Sequence, residues 1–262
     1  MFELDRDTTL DETGEGVCAT RVSDAWGISG NPNGGYLAVL LARAIARALP
    51  HPDPFTLTAH YLSPPRPGDA RVLVERVRVG RAHSTGVARL EQDGKERVRA
   101  IATFGDLAAM SGPTREEAEP PPIPPLDACE VHVGAPPGSS FAERMEERFA
   151  PGSLGFLDGK PSARMELGGW MRFADGRPTD VLSLLLFADA MPPPVLHAVP
   201  SVWVPTLELT IHVRRRPAPG WIRGWFRTRH LVDGYLEEDG ELWDESGRLV
   251  ALSRQLARVH RG

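Results

Sequence analysis

Hydrophobic and polar positions repeat along the chain as two similar series. Each series opens with an alternating, strand-like stretch, continues with an apolar stretch of helical length, and closes with several alternating stretches. In the first half we expect a helix at 36–49 and strands at 17–23, 55–62, 71–79, 84–92 and 97–104. In the second half we expect a helix at 179–190 and strands at 163–173, 206–214, 221–229, 234–243 and 249–259. The pattern predicts two units of one kind.

Both expected helices are apolar on nearly every face, which determines how they must pack. A helix that is hydrophobic all round has to be covered on all sides. A curved antiparallel sheet wrapped around the helix provides that cover, and two such sheets joined edge to edge protect their edge strands. The predicted fold class is therefore α+β: a tandem, or double, hotdog in which each curved antiparallel sheet wraps around a central helix.

A proline-rich stretch separates the two units, and the units repeat one another. Residues 57–68 read LTAHYLSPPRPG and residues 209–220 read LTIHVRRRPAPG, which agree at six of twelve positions with a constant offset of 152. Two copies indicate duplication rather than a solenoid. Proline at the density of residues 119–125 blocks helices and sheet interiors. We therefore predict an N-terminal hotdog domain at 1–107, a linker at 108–140 and a C-terminal hotdog domain at 141–262.

Composition and charge narrow the function classes. The net charge of −5 and the isoelectric point of about 5.9 lack the basic excess of nucleic-acid-binding proteins. No stretch has the roughly 18 consecutive apolar residues of a membrane span, and the first residues lack the apolar core of a signal peptide. Cys18 and Cys129 match no metal or redox motif, which is typical of free thiols in a reducing cytoplasm. We expect a cytoplasmic protein without a nucleic-acid partner, metal or cofactor.

Several short motifs stand in the order and spacing of one known family. They are 33–35 (NGG), 62–65 (LSPP) and 79–84 (VGRAHS) in the first half, and 169–172 (GWMR), 178–180 (PTD) and 184–189 (LLLFAD) in the second. With these motifs the chain resembles the acyl-CoA thioesterase II family, the double-hotdog acyl-CoA thioesterases and their thioesterase-like relatives. The resemblance covers almost the whole chain except the linker. It implies hydrolysis of a fatty acyl-CoA to free acid and CoA, within fatty acid metabolism.

The resemblance also implies a site that activates water. The family uses an Asp, a Ser or Thr, and a Gln, which correspond here to Glu208, Thr228 and Gln255. Glu208 is a departure, because Glu reaches one methylene further than Asp. A carboxylate can accept a proton from water while a hydroxyl and an amide hold that water, so no covalent nucleophile is required. The alternative for all three is an ordinary polar position on a strand.

Two first-half features are candidates for binding the substrate. Asn33, Gly34 and Gly35 open the expected helix, where free N–H groups suit a thioester oxyanion and glycine permits its close approach. Arg81 is a candidate contact for the CoA phosphates, since arginine pairs well with phosphate. The alternatives are close packing of helix on sheet for the glycines and a structural turn for Arg81.

Two other functions fit the same fold. A hotdog hydratase or dehydratase usually carries an Asp-x-Asn-x-x-His segment, and this sequence has none. A non-catalytic acyl-CoA or lipid-binding protein keeps the fold and loses the site, and Glu208 in place of Asp leaves that alternative open. The expected partner of the thioesterase is an acyl-CoA substrate. The sequence does not decide the acyl chain length, or whether the chain forms a homo-oligomer, either a dimer or a larger assembly.

Overall fold

The computed structural model describes residues 1–131 and 139–260 and confirms the α+β tandem hotdog. Pro136, Pro137 and Gly138 of the predicted linker lie outside the described residues. The helices of the described chain are α1 (Glu3–Asp7), α2 (Gly34–Ala48) and α3 (Val181–Phe187). The first-half strands are β1 (Asp11–Gly14), β2 (Val17–Val22), β3 (Gly27–Ile28), β4 (Asn31–Pro32), β5 (Asp53–Tyr61), β6 (Gly68–Val79), β7 (Ser84–Gln92) and β8 (Lys95–Gly105). The later strands are β9 (Glu130–Val131), β10 (Met145–Phe149), β11 (Glu166–Phe173), β12 (Thr206–Val213), β13 (Ile222–Arg227), β14 (Leu231–Val232), β15 (Tyr235–Asp244) and β16 (Leu249–Arg258).

One antiparallel sheet runs through both halves of the described chain. Its strand order is β1-β2-β6-β7-β8-β5 in the first half and β12-β16-β15-β13-β11-β10-β9 in the second, with β14 paired to β15. The halves join where β5 pairs with β12. In that pair Thr58 stands opposite Thr210, and their hydroxyl oxygens lie 2.8 Å apart. These two residues are equivalent in the sequence repeat, so a pseudo-twofold axis passes between them.

Helix α2 packs against β5, β6, β7 and β8, as its apolar pattern predicts. Asn33 is its N-cap, and the Asn33 Oδ1 accepts a hydrogen bond from the Tyr36 N–H at 2.9 Å. The helix ends where Leu49 takes an extended conformation, because the following Pro50 disfavours a helical backbone in the residue before it. The N-cap therefore sets the first turn of α2, whose backbone N–H groups have no partners within the helix.

Helix α3 is shorter than the predicted 179–190. Asp180 sets its start, because its Oδ1 accepts the Ser183 N–H at 2.8 Å while the Ser183 hydroxyl accepts the Asp180 N–H at 3.0 Å. The chain leaves the helix at Ala188, and the Asp189 N–H donates to Leu186 O at 3.0 Å in a tighter turn. Because α2 and α3 pack against each other, both helices of the duplication share one interior.

Strand β10 extends the second-half sheet and is absent from the predicted elements. It pairs with β11 from Met145 opposite Phe173 to Phe149 opposite Gly169. The helix α1 and the short strands β1 and β9 are also absent from the prediction. Elements of two to five residues are too short for periodicity to mark them. The longer predicted strands are all present, with ends that differ by a few residues.

Ion pairs connect parts of the chain that are distant in sequence. The Arg177 side chain is 5% exposed and reaches both Asp5 of α1 and Asp180 at the start of α3. Arg216 of the second half pairs with Asp53 of β5 at 2.8 Å, where the Asp53 side chain is 5% exposed. The two halves therefore contact each other through side chains as well as through the sheet.

Cys18 and Cys129 are both buried and free. In residues 1–131 and 139–260, no group of three or more His, Cys, Asp or Glu side chains is arranged to hold a metal ion. A helix long and apolar enough to cross a membrane is likewise absent from these residues.

Candidate active site

A carboxylate of the second half lies against the N-terminus of the first-half helix. Asp189 follows α3, and its Oδ2 accepts hydrogen bonds from the Gly35 N–H at 3.0 Å and from Asn33 Nδ2 at 3.1 Å. Asn33 Nδ2 also donates to the backbone oxygen of Asp189 at 2.7 Å. Helix N-termini favour negative charge because their first N–H groups lack partners within the helix. The start of α2 therefore stabilises the ionised form of Asp189.

Glycine at positions 34 and 35 makes this contact sterically feasible. A Cβ on Gly35 would lie 2.6 Å from Leu186 O, and a Cβ on Gly34 would lie 2.8 Å from Asp189 Oδ2. Neither distance leaves room for a side chain. On the other side, the Tyr61 hydroxyl donates to Gly34 O at 2.8 Å. The two glycines thus bring α2 against α3, and Gly35 directs its N–H at a carboxylate of the same chain.

The pKa of Asp189 lies about one unit below neutral pH. Burial raises the pKa of Asp189 from its ordinary 3.8 to about 6, while the hydrogen bonds from Gly35, Gly34 and Asn33 limit the rise. Asp189 is therefore mostly ionised at pH 7. Burial, together with the charges of Asp189 and Glu208, raises the pKa of Tyr61 well above 10, so this hydroxyl stays neutral. A carboxylate with a pKa close to neutrality is suited to accept a proton from water.

Three polar side chains form a hydrogen-bonded row on the inner face of the second-half sheet. The Thr206 hydroxyl donates to Gln255 Oε1, and Gln255 Nε2 donates to Glu238 Oε1 at 2.7 Å. Gln255 and Glu238 stand opposite each other on β16 and β15 and are both buried. Burial raises the pKa of Glu238 to about 8; the hydrogen bond from Gln255 lowers it and the charge of Asp189 raises it further. Helix α3, which Asp189 follows, packs on β12, the strand that carries Thr206, so the row lies on the face of the sheet that is turned toward α3.

A bulge in β12 turns Thr206 toward this row. Thr206 pairs with Ala257 and Glu208 pairs with Leu256, so β12 has one residue more than β16 between the two pairs. Residues paired across an antiparallel sheet share a face. Thr206 and Ala257 are therefore on the same inner face as Gln255, two residues from Ala257 along β16.

Glu208, the predicted catalytic carboxylate, lies on the opposite face of the sheet from Gln255. Its partners on β16 and β5 are Leu256 and His60, both exposed, and its Oε1 accepts the Thr210 hydroxyl. Successive residues of a strand alternate between faces, and Leu256 follows Gln255 directly. The structure therefore places Glu208 and Gln255 on opposite faces of the sheet, and a catalytic role for Glu208 stays a prediction.

Thr228 directly follows Arg227, the last residue of β13, which pairs with Asp239 of β15. It is 3% exposed, and no described residue lies within hydrogen-bond distance of its hydroxyl. Its position is on the inner side of the sheet near the Thr206–Gln255–Glu238 row. A catalytic role for Thr228 stays a prediction.

Arg81 is distant from the other predicted substrate-binding residues. It is exposed in the turn between β6 and β7, and its backbone oxygen lies 3.2 Å from His51 Nε2. His51 follows the C-terminal end of α2, whereas Asn33 caps the N-terminal end. A helix of 15 residues spans about 22 Å. Arg81 and Asn33 therefore lie at opposite ends of α2, and the structure does not bring them together.

Asp189, Thr206 and Glu238 are not among the predicted site residues. Asp189 ends the 184–189 motif that carries the family resemblance, so its motif contained a usable signal. Thr206 begins a predicted strand. The alternation of polar and apolar residues does not indicate the bulge that turns Thr206 inward. Glu238 follows another glutamate in a charged stretch, which is typical of a solvated strand face.

A surface cleft of about 590 Å³ lies beside the segment that leads into α2. Gly27, Gly30 and Pro32 line it together with Ser140 and Arg144 of the second half. The polar row and Asp189 are not among its lining residues. The cleft and the polar cluster are therefore separate features.

Known proteins resemble this chain over nearly all of its length. Residues 22–105 match the family model of the acyl-CoA thioesterase N-terminal domain, and residues 115–259 match that of the acyl-CoA thioesterase C-terminal domain. These matches confirm the resemblance drawn from the motifs.

Solved structures and a curated relative agree with the family models. A candidate thioesterase II from Thermobifida fusca is 32% identical, with a TM-score of 0.92 over 100% of this chain and 98% of that chain. An acyl-CoA thioesterase II from Mycobacterium marinum shares the fold at 18% identity, with a TM-score of 0.78 over 99% and 98% of the two chains. A thioesterase-like protein of Talaromyces wortmannii is 25% identical over 98% of this chain and 89% of its own length. The chain therefore belongs to the acyl-CoA thioesterase family and joins the N-terminal and C-terminal domains of that family in one polypeptide.

Proposed function

We propose that this protein hydrolyses an acyl-CoA thioester to the free acid and CoA, with Asp189 as the general base. The observation that carries the proposal is the contact of Asp189 with the N-terminus of α2. It is supported by the packing of α3 on β12, the strand whose Thr206 is hydrogen-bonded to the buried Gln255. Gln255 keeps the role that the sequence predicts for it. Asp189 and Thr206 take the roles of carboxylate and hydroxyl for which the sequence favours Glu208 and Thr228.

The reaction needs one water and no covalent intermediate. Asp189 accepts a proton as the water oxygen attacks the thioester carbonyl carbon, while Thr206 and Gln255 hold that water. The tetrahedral intermediate then collapses, the C–S bond breaks, and the CoA sulfur takes the proton back from Asp189. Positioned acid–base groups of this kind contribute roughly 100-fold to 10,000-fold in rate.

The N-terminus of α2 stabilises two negative charges in turn, first on the Asp189 carboxylate and then on the thioester oxygen. Its N–H groups stabilise the Asp189 carboxylate before the attack. When the proton moves to Asp189, negative charge passes to the thioester oxygen, which the same positive helix end stabilises. The sequence assigns substrate binding to Gly34 and Gly35, and in this proposal they act through the helix end that they bring against α3 and Asp189.

Measuring CoA release with a thiol reagent over a panel of acyl-CoAs tests this function. We expect release by the wild type, with kcat rising as pH increases through about 6 as Asp189 ionises. Asp189→Asn should lower kcat by at least 100-fold, in line with loss of a general base. Asp158→Asn, at an exposed position, is the matched control and should leave kcat unchanged.

Two results would redirect the proposal. If no acyl-CoA is hydrolysed but acyl-CoA raises the melting temperature, the protein is a binder that has kept the fold without the reaction. If Asp189→Asn retains wild-type kcat, the reaction class stands and the base lies elsewhere. A cytoplasmic location is also a proposal, supported by the two free cysteines.

A further inference from the structure

Glu238 is a buried acid that the hydrolytic mechanism above does not use. It is 5% exposed, and its Oε1 accepts Gln255 Nε2 at 2.7 Å. Its Oε2 is buried without a hydrogen-bond partner among the described residues. The charges that act on it are those of Asp189 across the interior and Asp239 beside it, both negative. Burial raises the pKa of Glu238 to about 8, so the carboxyl is mostly neutral at pH 7.

The Gln255 amide has two possible orientations, and only one suits the reaction. With Oε1 toward Thr206, as observed, the amide accepts the Thr206 hydroxyl proton. The Thr206 oxygen then has only lone pairs to offer a water, so that water donates to Thr206 and to Asp189 and keeps its own lone pair for the thioester. With the amide turned over, Thr206 would donate to the water and draw that lone pair away from the substrate.

We propose that Glu238 is a positioning residue for the hydrolytic site: by accepting Gln255 Nε2 it holds the amide with Oε1 toward Thr206 and so orients the attacking water. This inference rests on the proposed function. In the observed orientation both ends of the amide are hydrogen-bonded, Oε1 to the Thr206 hydroxyl and Nε2 to Glu238 Oε1, and the carboxyl proton of Glu238 then lies on Oε2. Because Glu238 is neutral, it performs this task without placing a second negative charge beside Asp189 and the developing oxyanion.

Two substitutions separate the acceptor from the charge. Glu238→Leu is similar in size and has no acceptor, so kcat should fall at least tenfold while KM stays within twofold. Glu238→Gln restores an acceptor that cannot ionise, so kcat at pH 7 should return to near the wild-type value. In the wild type, kcat should fall as pH rises through about 8, and this alkaline limb should be absent in Glu238→Gln. Glu237→Leu, the neighbour on the opposite face of β15, is the control and should have no effect on kcat.

The side-chain amide signals of Gln255 in a ¹⁵N–¹H NMR spectrum report the contact without any substrate. They are assigned by their loss in Gln255→Glu. We expect them to shift with an apparent pKa near 8 in the wild type, to stay constant over the same pH range in Glu238→Gln, and to move in Glu238→Leu. Absence of hydrolysis in the wild type refutes the proposed function. Hydrolysis together with amide signals that do not titrate, or with wild-type kcat in Glu238→Leu, refutes the role of Glu238 alone.

Discussion

Gly35→Ala probes the contact on which both the packing and the proposed chemistry depend. The added Cβ would lie 2.6 Å from Leu186 O and 2.9 Å from Leu186 Cα, where ordinary contact begins near 3.4 Å. Both neighbours are backbone atoms of α3, which cannot rotate away. The helices must therefore separate by about 0.8 Å.

The cost follows from two effects of that separation. Overpacking of a close contact costs about 1–3 kcal/mol, and alanine returns at most about 1 kcal/mol through its higher helix propensity. The Gly35 N–H to Asp189 Oδ2 hydrogen bond, now 3.0 Å, lengthens beyond useful range and its stabilisation of the carboxylate is lost. We expect a net loss of about 2 kcal/mol in the free energy of unfolding, which lowers Tm by roughly 4–8 °C for a chain of this size.

Thermal denaturation and a kcat–pH profile measure the two consequences. Without its hydrogen bond from Gly35, Asp189 should have a higher pKa, so the acid limb of kcat should move above pH 6. Gly14→Ala is the control, because its Cβ would lie 4.0 Å from the nearest side chain. A Gly35→Ala protein with wild-type Tm and an unmoved acid limb would refute the reasoning about the α2–α3 contact.

Two further predictions concern stability. Burial raises the pKa of Glu147 from 4.5 to about 8, so its stabilising effect is complete below pH 4.5 and is lost as pH rises toward 8. Between pH 5 and 7 the wild type should therefore lose about 3 kcal/mol relative to Glu147→Gln in urea denaturation, and parallel pH curves would contradict this. Arg177→Ala should lower the free energy of unfolding by roughly 2 kcal/mol, because it removes the buried guanidinium that pairs with Asp5 and with Asp180, the N-cap of α3. Arg21→Ala, from an exposed pair, should cost less than about 1 kcal/mol, and equal losses would show that burial of Arg177 adds nothing.

The sequence predicts the repeating elements of this fold well, because period and apolarity are local properties. The central helix of the first unit and its glycine-bearing N-terminus follow from short stretches of chain, whereas Gln255, which is buried, is predicted from the family resemblance. The hydrogen-bond partner of Asn33 does not follow from any local stretch of sequence. Asp189 is 156 residues away, and the meeting of the two depends on how α2 and α3 pack.

Strand register explains why the sequence favours Glu208, whereas the structure turns Thr206 toward the interior. Glu208 and Thr206 are two residues apart and would share a face in a regular strand. The bulge between them places one inside and the other outside. Since a shift of one residue inverts every side chain of a strand, a motif match in β12 could not decide which polar residue faces the interior.

The pseudo-twofold axis between Thr58 and Thr210 relates two halves whose helix N-termini make different contacts. The α2 end of the first half receives Asp189, whereas the corresponding α3 end is closed by Asp180 and Arg177. A symmetric pair of identical hotdogs would carry two equivalent sites, and any substitution would alter both. In the fused chain one half contributes the helix end and the other half contributes the carboxylate that it binds. The expected stoichiometry is therefore one ligand per chain. A substitution in one half changes only that half, so the two halves can diverge independently.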